Sequence, residues 1–271
     1  WVQDLFPETA SALKIKGIRG PIDTFLRKLR NWSLHAAEMN VVIGDRMAER
    51  LIAQGIKPGQ IRVISNWADG HHIRPLAKET NPLIREWGLE NKFVAVYSGN
   101  MGRAHEFNTV IEAAKKLKEE KRLLFLFIGD GRAKPQIEAE VRAFHLENFL
   151  FKPYQSYAHL AESLGVADLH LISLKPELEG LVLPSKFYGA LAAGKPVIYI
   201  GDPTGDIGCV LAREHCGAAV APGDSDALAE KLRNWMIDPD LLAGMGGQAR
   251  AVFDRHFDKS HGFEAWRKIL K

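Results

Sequence analysis

A chain of 271 residues, 46% hydrophobic and 25% charged, has room for roughly two domains and the balance of an ordinary globular protein. That composition excludes a disordered tail, a collagen-like repeat and a small disulfide scaffold, and no apolar run reaches the ~18–20 residues of a membrane span. A net charge of +3 is too mild to call for a nucleic-acid partner.

The opening Trp1-Val2-Gln3-Asp4 reads as the inside of a strand, with no initiator Met or signal peptide before it, so further residues are expected upstream in the natural protein. Between residues 14 and 32, Lys14, Lys16, Arg19, Arg27, Lys28 and Arg30 stand against one acid, Asp23. In the same stretch Ile22, Phe25, Leu26, Leu29 and Trp32 share one helical face. Such a basic amphipathic pattern suits an anionic membrane surface, or an ordinary helix with its apolar side in the core and its basic side in water.

Apolar runs then alternate with helical patterns. Val41–Ile43, Ile61–Ile64, Phe93–Tyr97, Leu123–Ile128, Phe149–Phe151, Leu169–Leu174, Pro196–Ile200 and Ala218–Val220 are the predicted strands. Phe107–Leu117 shows the helical period between two of them. Continuous apolar strands separated by helices predict an α/β fold with a parallel sheet covered on both faces. The polar, Gly- and Pro-containing stretch from Asn66 to Asn81 reads as a connection between domains. About three strands and two helices precede it, too few to close a sheet, and six strands follow it, enough for one doubly wound domain. The two cysteines, Cys209 and Cys216, lack a metal-ligand spacing and fit a reducing compartment.

In a doubly wound sheet, ligands sit beyond the carboxyl ends of the strands. The first such loop holds Gly99, Asn100, Gly102, Arg103 and His105. Its glycines let a ligand approach the backbone, and Arg103 offers a fork to phosphate oxygens; the alternative is a plain tight turn. Next comes Asp130 between Gly129 and Gly131, either a ribose acceptor or a helix cap with turn glycines. After Leu169–Leu174, Glu177 and Glu179 bring carboxylates to the sheet mouth, and Pro184-Ser185-Lys186 opens a helix. A helix start with a hydroxyl and an ammonium beside it suits a diphosphate; otherwise this is a solvated loop with incidental charges. His71 and His72 read as exposed connection residues and His170 as a satisfied core residue, leaving His105 as the histidine placed to meet a ligand. No GxSxG elbow, HExxH or Walker A sequence occurs.

The order Asn66-Trp67-Ala68-Asp69, YSGNMGRAHEF, FIGDG, then EGLVLPSK followed by ALAAGKPV resembles family 4 (group 1) glycosyltransferases along essentially the whole chain. It is nearest to bacterial members that build O-antigen, capsule and exopolysaccharide, the N-acetylfucosaminyltransferase-like subgroup among them. The resemblance implies the GT-B architecture, two Rossmann-like domains around a cleft. Residues 1–75 would be the end of the acceptor-side domain, 76–255 the nucleotide-sugar domain, and 256–271 a helix packing back. It implies a retaining, metal-independent transferase with no cofactor. A UDP-sugar, ahead of a GDP-sugar, would be the donor and a polyprenyl-diphosphate-linked sugar the acceptor. The location would be cytoplasmic, or peripheral on the inner face of the cell membrane through residues 14–32.

Carried over by position, Arg103 and Lys186 would face the donor diphosphate and Glu179 the transferred sugar, with these three as the catalytic candidates. Gly99, Asn100, Gly102, His105, Asp130, Glu177, Gly180, Leu183 and Ser185 would complete the donor site, with Lys152-Pro153-Tyr154 where the base is held. The sequence departs from the family where its second acid would be Gly189, where an Arg-to-Lys pair is replaced by Arg103 and His105, and where its usual His falls near Gln3. Alternatives are a donor-binding fragment without turnover, an NAD-dependent oxidoreductase built on the Gly99 and Asp130 loops, and a sugar-nucleotide epimerase of the same fold. Against the oxidoreductase, the loop reads G-x-x-G, not G-x-G-x-x-G.

Overall fold

The computed structural model describes residues 1–18 and 20–270, so Arg19 and Lys271 lie outside the described residues. Its first part holds α1 (Glu8–Ala12), α2 (Pro21–Ala36), β1 (Asn40–Val42), α3 (Asp45–Ala53) and β2 (Ile61–Val63). After the connection come α4 (Pro82–Glu86), β3 (Phe93–Ser98), α5 (Asn108–Lys116), β4 (Leu123–Ile128), α6 (Lys134–Ala143) and β5 (Phe149–Lys152). They are followed by α7 (Leu160–Gly165), β6 (Leu169–Ser173), α8 (Lys186–Ala192), β7 (Val197–Ile200), α9 (Asp206–Glu214) and β8 (Gly217–Val220). The last helices are α10 (Ser225–Met236), α11 (Pro239–Val252) and α12 (Lys259–Ile269), with a π-helical turn at Phe253–Phe257 between the final two.

Each of the eight apolar runs forms a strand. β1 and β2 make a two-stranded parallel sheet, and the other six make one parallel sheet in the order β5-β4-β3-β6-β7-β8. Trp1–Asp4 departs from the strand expectation. Val2 pairs by a single bridge to Val42, so among the described residues the first part has two strands, one bridge and three α-helices. Just beyond Asp4, the Leu5 amide donates to the Leu181 carbonyl (2.9 Å), which draws the chain away from β1 towards the larger sheet.

The side-chain alternation explains why the strands read as unbroken apolar runs. Phe93, Ala95, Tyr97, Phe125 and Phe127 enter a core with Val110 and Ile111 of α5 and Leu228 of α10. Their neighbours Val94, Val96, Leu124 and Leu126 enter another with Leu83, Ile84 and Val166. With both faces covered, neither set can be polar. A third core joins Val42, Met47 and Leu51 of the first part to Phe187, Leu191, Tyr199 and Phe253.

The strand order makes the site. The chain runs outward from β3 to β5, returns to β6 beside β3, and runs outward again to β8. β3 and β6 pair only at Ala95↔Leu169 and Val96↔His170, so beyond Val96 the strands part and leave a crevice at the topological switch point. The connection from Asn66 to Asn81 crosses near it. Ala68 bridges Asp258, and Lys259 pairs with Asp69 at 2.7 Å.

α2 corrects the ordinary-helix expectation. Its apolar ridge of Ile22, Phe25, Leu29 and Trp32 is 51–70% exposed, and among its residues only Leu34 is buried. Arg27 instead turns to Glu8 (2.8 Å) and Asp23 (2.7 Å), and Arg30 also pairs with Glu8. Glu8 is 8% exposed, and a carboxylate so far from water must be paired, so α1 draws the arginines inward and the ridge faces out.

Candidate functional site

Between the ends of β3, β4 and β6 lies a cavity of about 400 Å³. Its walls include Trp67 of the connection, Ser98 at the end of β3 and Gly99 after it, Tyr154 after β5, and Ser185 and Lys186 at the start of α8. Its remaining lining is largely apolar, and no carboxylate stands among the described residues around it. Lys186 therefore brings an ammonium to a carboxylate-free space.

That ammonium is held from behind. Lys186 Nζ donates to His105 Nε2 at 3.0 Å, and His105 Nδ1 donates to the Ser173 carbonyl at 2.7 Å. Burial pushes the His105 imidazole down to about 4, with the Lys186 charge adding to the effect, so the ring is neutral at pH 7. Burial also lowers Lys186 to about 8. The ammonium lies 5.4 Å from the centroid of the Tyr97 ring, a cation–π distance. Gly99 makes this crossing possible: at φ +132° a β-carbon would run into the Lys186 stem. Gly129 and Gly131 do the same between loops, since β-carbons there would meet the Gly99 and Met101 carbonyls.

The other expected residues divide. Asn100 is exposed beside Gly102, and its carbonyl accepts from the Tyr97 hydroxyl (2.8 Å). The Asp130 carboxylate folds onto the Gly131 amide (2.7 Å), while α6 begins only at Lys134, so Asp130 makes a turn rather than a helix cap. Lys152 extends its ammonium over Trp87 (5.3 Å) and offers its backbone carbonyl to the Gly129 amide (2.9 Å). Pro153 and Tyr154 are exposed at the rim, where the Tyr154 hydroxyl donates to the Asp130 carbonyl (3.3 Å). Ser185 precedes α8 without a side-chain cap. Arg103 lines a separate cavity of about 410 Å³ with Arg132 and Lys175, so it does not face Lys186 across the first one.

Glu177 is exposed, and Glu179 belongs to another network. The Glu179 carboxylate accepts from the Tyr199 hydroxyl (3.0 Å) and the Asp206 amide (3.2 Å), and its carbonyl accepts from Arg50. Desolvation by burial, partly offset by those two hydrogen bonds, raises its pKa. Gly180 packs so closely on Arg46 and Arg50 of α3 that a β-carbon would collide with them. Leu183 faces a cleft between α3 and α9. Gln3 meets Asn66 at 3.1 Å.

Sequence reasoning missed Ser173, whose carbonyl holds His105 and whose hydroxyl accepts from the Glu106 amide (3.2 Å). A serine closing the mostly apolar strand Leu169–Ser173 was the available signal. It also missed Trp67 as a cavity wall, and His72, which stacks on Tyr157 at 3.9 Å rather than standing free. His170 is the satisfied core residue expected, 3% exposed and bonded through Nε2 to the Leu164 carbonyl. Among the described residues, no group of three or more His, Cys, Asp or Glu side chains is gathered as a metal site requires. No described helix is long and apolar enough to cross a membrane.

Strand order, crevice and a lone ammonium at the switch point define a doubly wound α/β domain with a place for an anionic ligand. Residues 80–252 match the family described as Glycosyl transferases group 1, and the chain belongs to that family. It is 28% identical to the probable glycosyltransferase WbjE of Pseudomonas aeruginosa over all of this chain and 67% of that protein. It is also 28% identical to the putative colanic acid biosynthesis glycosyl transferase WcaI of Escherichia coli K12, over 91% of this chain and 60% of that one. It thus spans about two thirds or less of these relatives. Among solved structures, Anabaena Alr3699/HepE in complex with UDP and glucose superposes with a TM-score of 0.76 at 20% identity, over 91% of this chain and 66% of that one. WaaG, a glycosyltransferase involved in lipopolysaccharide biosynthesis, gives 0.73 at 16% identity, over 97% and 72%. These likenesses establish the GT-B type of fold.

Proposed function

We propose that this chain transfers a sugar from a nucleoside-diphosphate sugar, UDP ahead of GDP, to a lipid-linked glycan in surface polysaccharide assembly. The observation that carries the reading is Lys186, an ammonium in a carboxylate-free cavity that also has Trp67, Ser98, Tyr154 and Ser185 on its walls. The anomeric C–O bond to the diphosphate breaks as the acceptor oxygen bonds to the same carbon. The acceptor proton passes to the departing phosphate oxygen, and attack on the face the diphosphate leaves retains the configuration. Negative charge grows on that diphosphate, where the Lys186 ammonium stabilises it without a metal ion. Glu179 and Arg103 remain in the proposal as residues beside the transferred sugar and at the outer edge of the diphosphate. WbjE and WcaI, named for glycosyl transfer and colanic acid biosynthesis, support the reaction class. The HepE complexes with UDP support the base. The dehydrogenase alternative has no support in the family match.

The lipid-linked acceptor and a peripheral membrane contact rest on α2, whose exposed Ile22, Phe25, Leu29 and Trp32 lie beside exposed Lys28. Arg19, part of that expected basic stretch, lies outside the described residues.

Calorimetric titration of UDP, GDP and NAD, with EDTA present, tests the donor. Binding of UDP or GDP that falls tenfold or more in Lys186→Ala, and less in Arg103→Ala, supports the assignment. NAD binding with neither diphosphate overturns it.

A further inference from the structure

We infer that His105 is a positioning residue: its imidazole, tethered by the Ser173 carbonyl, presents Nε2 to the Lys186 ammonium and aims it across Gly99 into the cavity. The inference rests on the proposed donor site but concerns how its cation is held.

The geometry leaves one proton arrangement. A carbonyl can only accept, so the 2.7 Å contact with Ser173 puts the ring proton on Nδ1. Nε2 then carries a lone pair, and the partner at 3.0 Å is an ammonium with three protons to give. One proton goes to His105 and two stay free for anionic oxygens in the cavity. The ring itself is fixed on several sides. Tyr97 packs edge-on at 5.7 Å, Phe107 lies 6.1 Å away, and Ser173 Oγ holds the next residue's amide.

The position of Ser173 at the end of β6 matters. β3 and β6 separate beyond Val96 and His170, and His105 bridges the gap between the β3 loop and β6 where the ladder has stopped. The switch point is thus braced by the same ring that places the cation.

The titratable groups facing the ammonium are His105 from the β3 loop and Tyr97 from β3, with Tyr154 and His170 on the other cavity walls. His170 is bonded away to Leu164. A neutral acceptor that touches a buried ammonium favours its charged form, opposing the burial that lowers Lys186 to about 8.

Trace acetylation of the ligand-free protein across pH 6–10, read by mass spectrometry at Lys186, follows the amine directly. The wild type is expected to titrate near pH 8. His105→Gln, which can accept from Lys186 and donate to Ser173, should stay close to that value. His105→Leu, similar in bulk but without an acceptor, should titrate lower by about one pH unit. A leucine variant that titrates like wild type overturns the inference. Should that variant not fold, ¹⁵N shifts of the wild-type imidazole decide: a proton on Nε2 at neutral pH overturns it, and a lone pair there supports it. Adding UDP to the wild type tests the donor reading separately. Protection of Lys186 from acetylation supports that reading, and unchanged labelling counts against it without touching the role of His105.

Discussion

Glu179 and Asp206 form a chain of helix caps across the two parts of the molecule. The Asp206 amide, first in α9, donates to Glu179 at 3.2 Å, while the Asp206 carboxylate accepts from the Asp45 amide (2.9 Å) and the Arg46 amide (3.3 Å) at the start of α3. Each carboxylate meets the positive end of a helix, and each has its pKa raised, chiefly by desolvation. The two sheets are thus linked by half-buried acids at helix starts rather than by a surface salt bridge.

That arrangement gives a pH dependence with a definite sign. An acid with a raised folded pKa binds more protons folded than unfolded between its two pKa values, so its contribution to stability falls as pH rises through that window. Glu179→Gln cannot ionise and should escape this loss. Melting temperatures of variant and wild type, measured in parallel from pH 4.5 to 7.5, should show their difference shifting in the variant's favour as pH rises. A constant difference would show that Glu179 does not ionise against a penalty.

His170 gives the opposite slope. Its pKa is lowered by burial from 6.5 to about 4, so its neutral form stabilises the fold fully above pH 6.5, and the effect is lost as pH falls towards 4. The loss is on the order of 3 kcal/mol across that window. His170→Gln, which can still donate to the Leu164 carbonyl, should lose less stability than the wild type between pH 6.5 and 4.5, read from urea titrations repeated at pH 6.5, 5.5 and 4.5.

Gly99→Ala and Gly129→Ala should separate site geometry from stability. At Gly99 the added carbon meets the flexible Lys186 stem, whereas at Gly129 it meets the Gly99 carbonyl. Both positions have φ near +130°, so each substitution should cost about 1–3 kcal/mol, with Gly129→Ala the larger. Gly99→Ala should show the larger loss of UDP affinity per unit of lost stability, since it displaces the cation. Equal ratios in calorimetry and denaturation would remove Gly99 from the site.

The ridge on α2 should be dispensable for folding. Phe25→Ser with Trp32→Ser removes side chains that are 64% and 70% exposed, so the change in stability should be within about 0.5 kcal/mol for each. Sedimentation with vesicles containing anionic lipid should drop several-fold. Unchanged sedimentation would leave the ridge without a role at membranes.

The sheet was legible because both its faces are buried, which leaves an unmistakable signature of unbroken apolar runs such as Leu123–Ile128. Lys186 was legible because Pro184 and Ser185 announce a helix start at a strand's carboxyl end. The rest depended on contacts between distant segments. Nothing near Glu179 in sequence reveals that Tyr199, Asp206 and Arg50 would occupy it. The exposure of Phe25 follows from Glu8, a residue 17 positions away that draws Arg27 inward. His105 looked like a ligand contact because its loop is at the mouth of the sheet, and only the end of the β3–β6 ladder brings it to Ser173.

Trp67 has a neighbour that gives the molecule an optical signature. It stacks with Trp1 at 5.9 Å and 10° between planes, while Trp266 meets Trp1 edge-on at 5.3 Å. Three of the six tryptophans thus form one electronically coupled group, contributed by the chain's opening, the connection and α12. Because Trp67 also walls the cavity, a ligand entering there, or a rotation of α12 against the opening segment, changes how these indoles share excitation. Near-ultraviolet circular dichroism and intrinsic fluorescence can therefore register occupancy without any label.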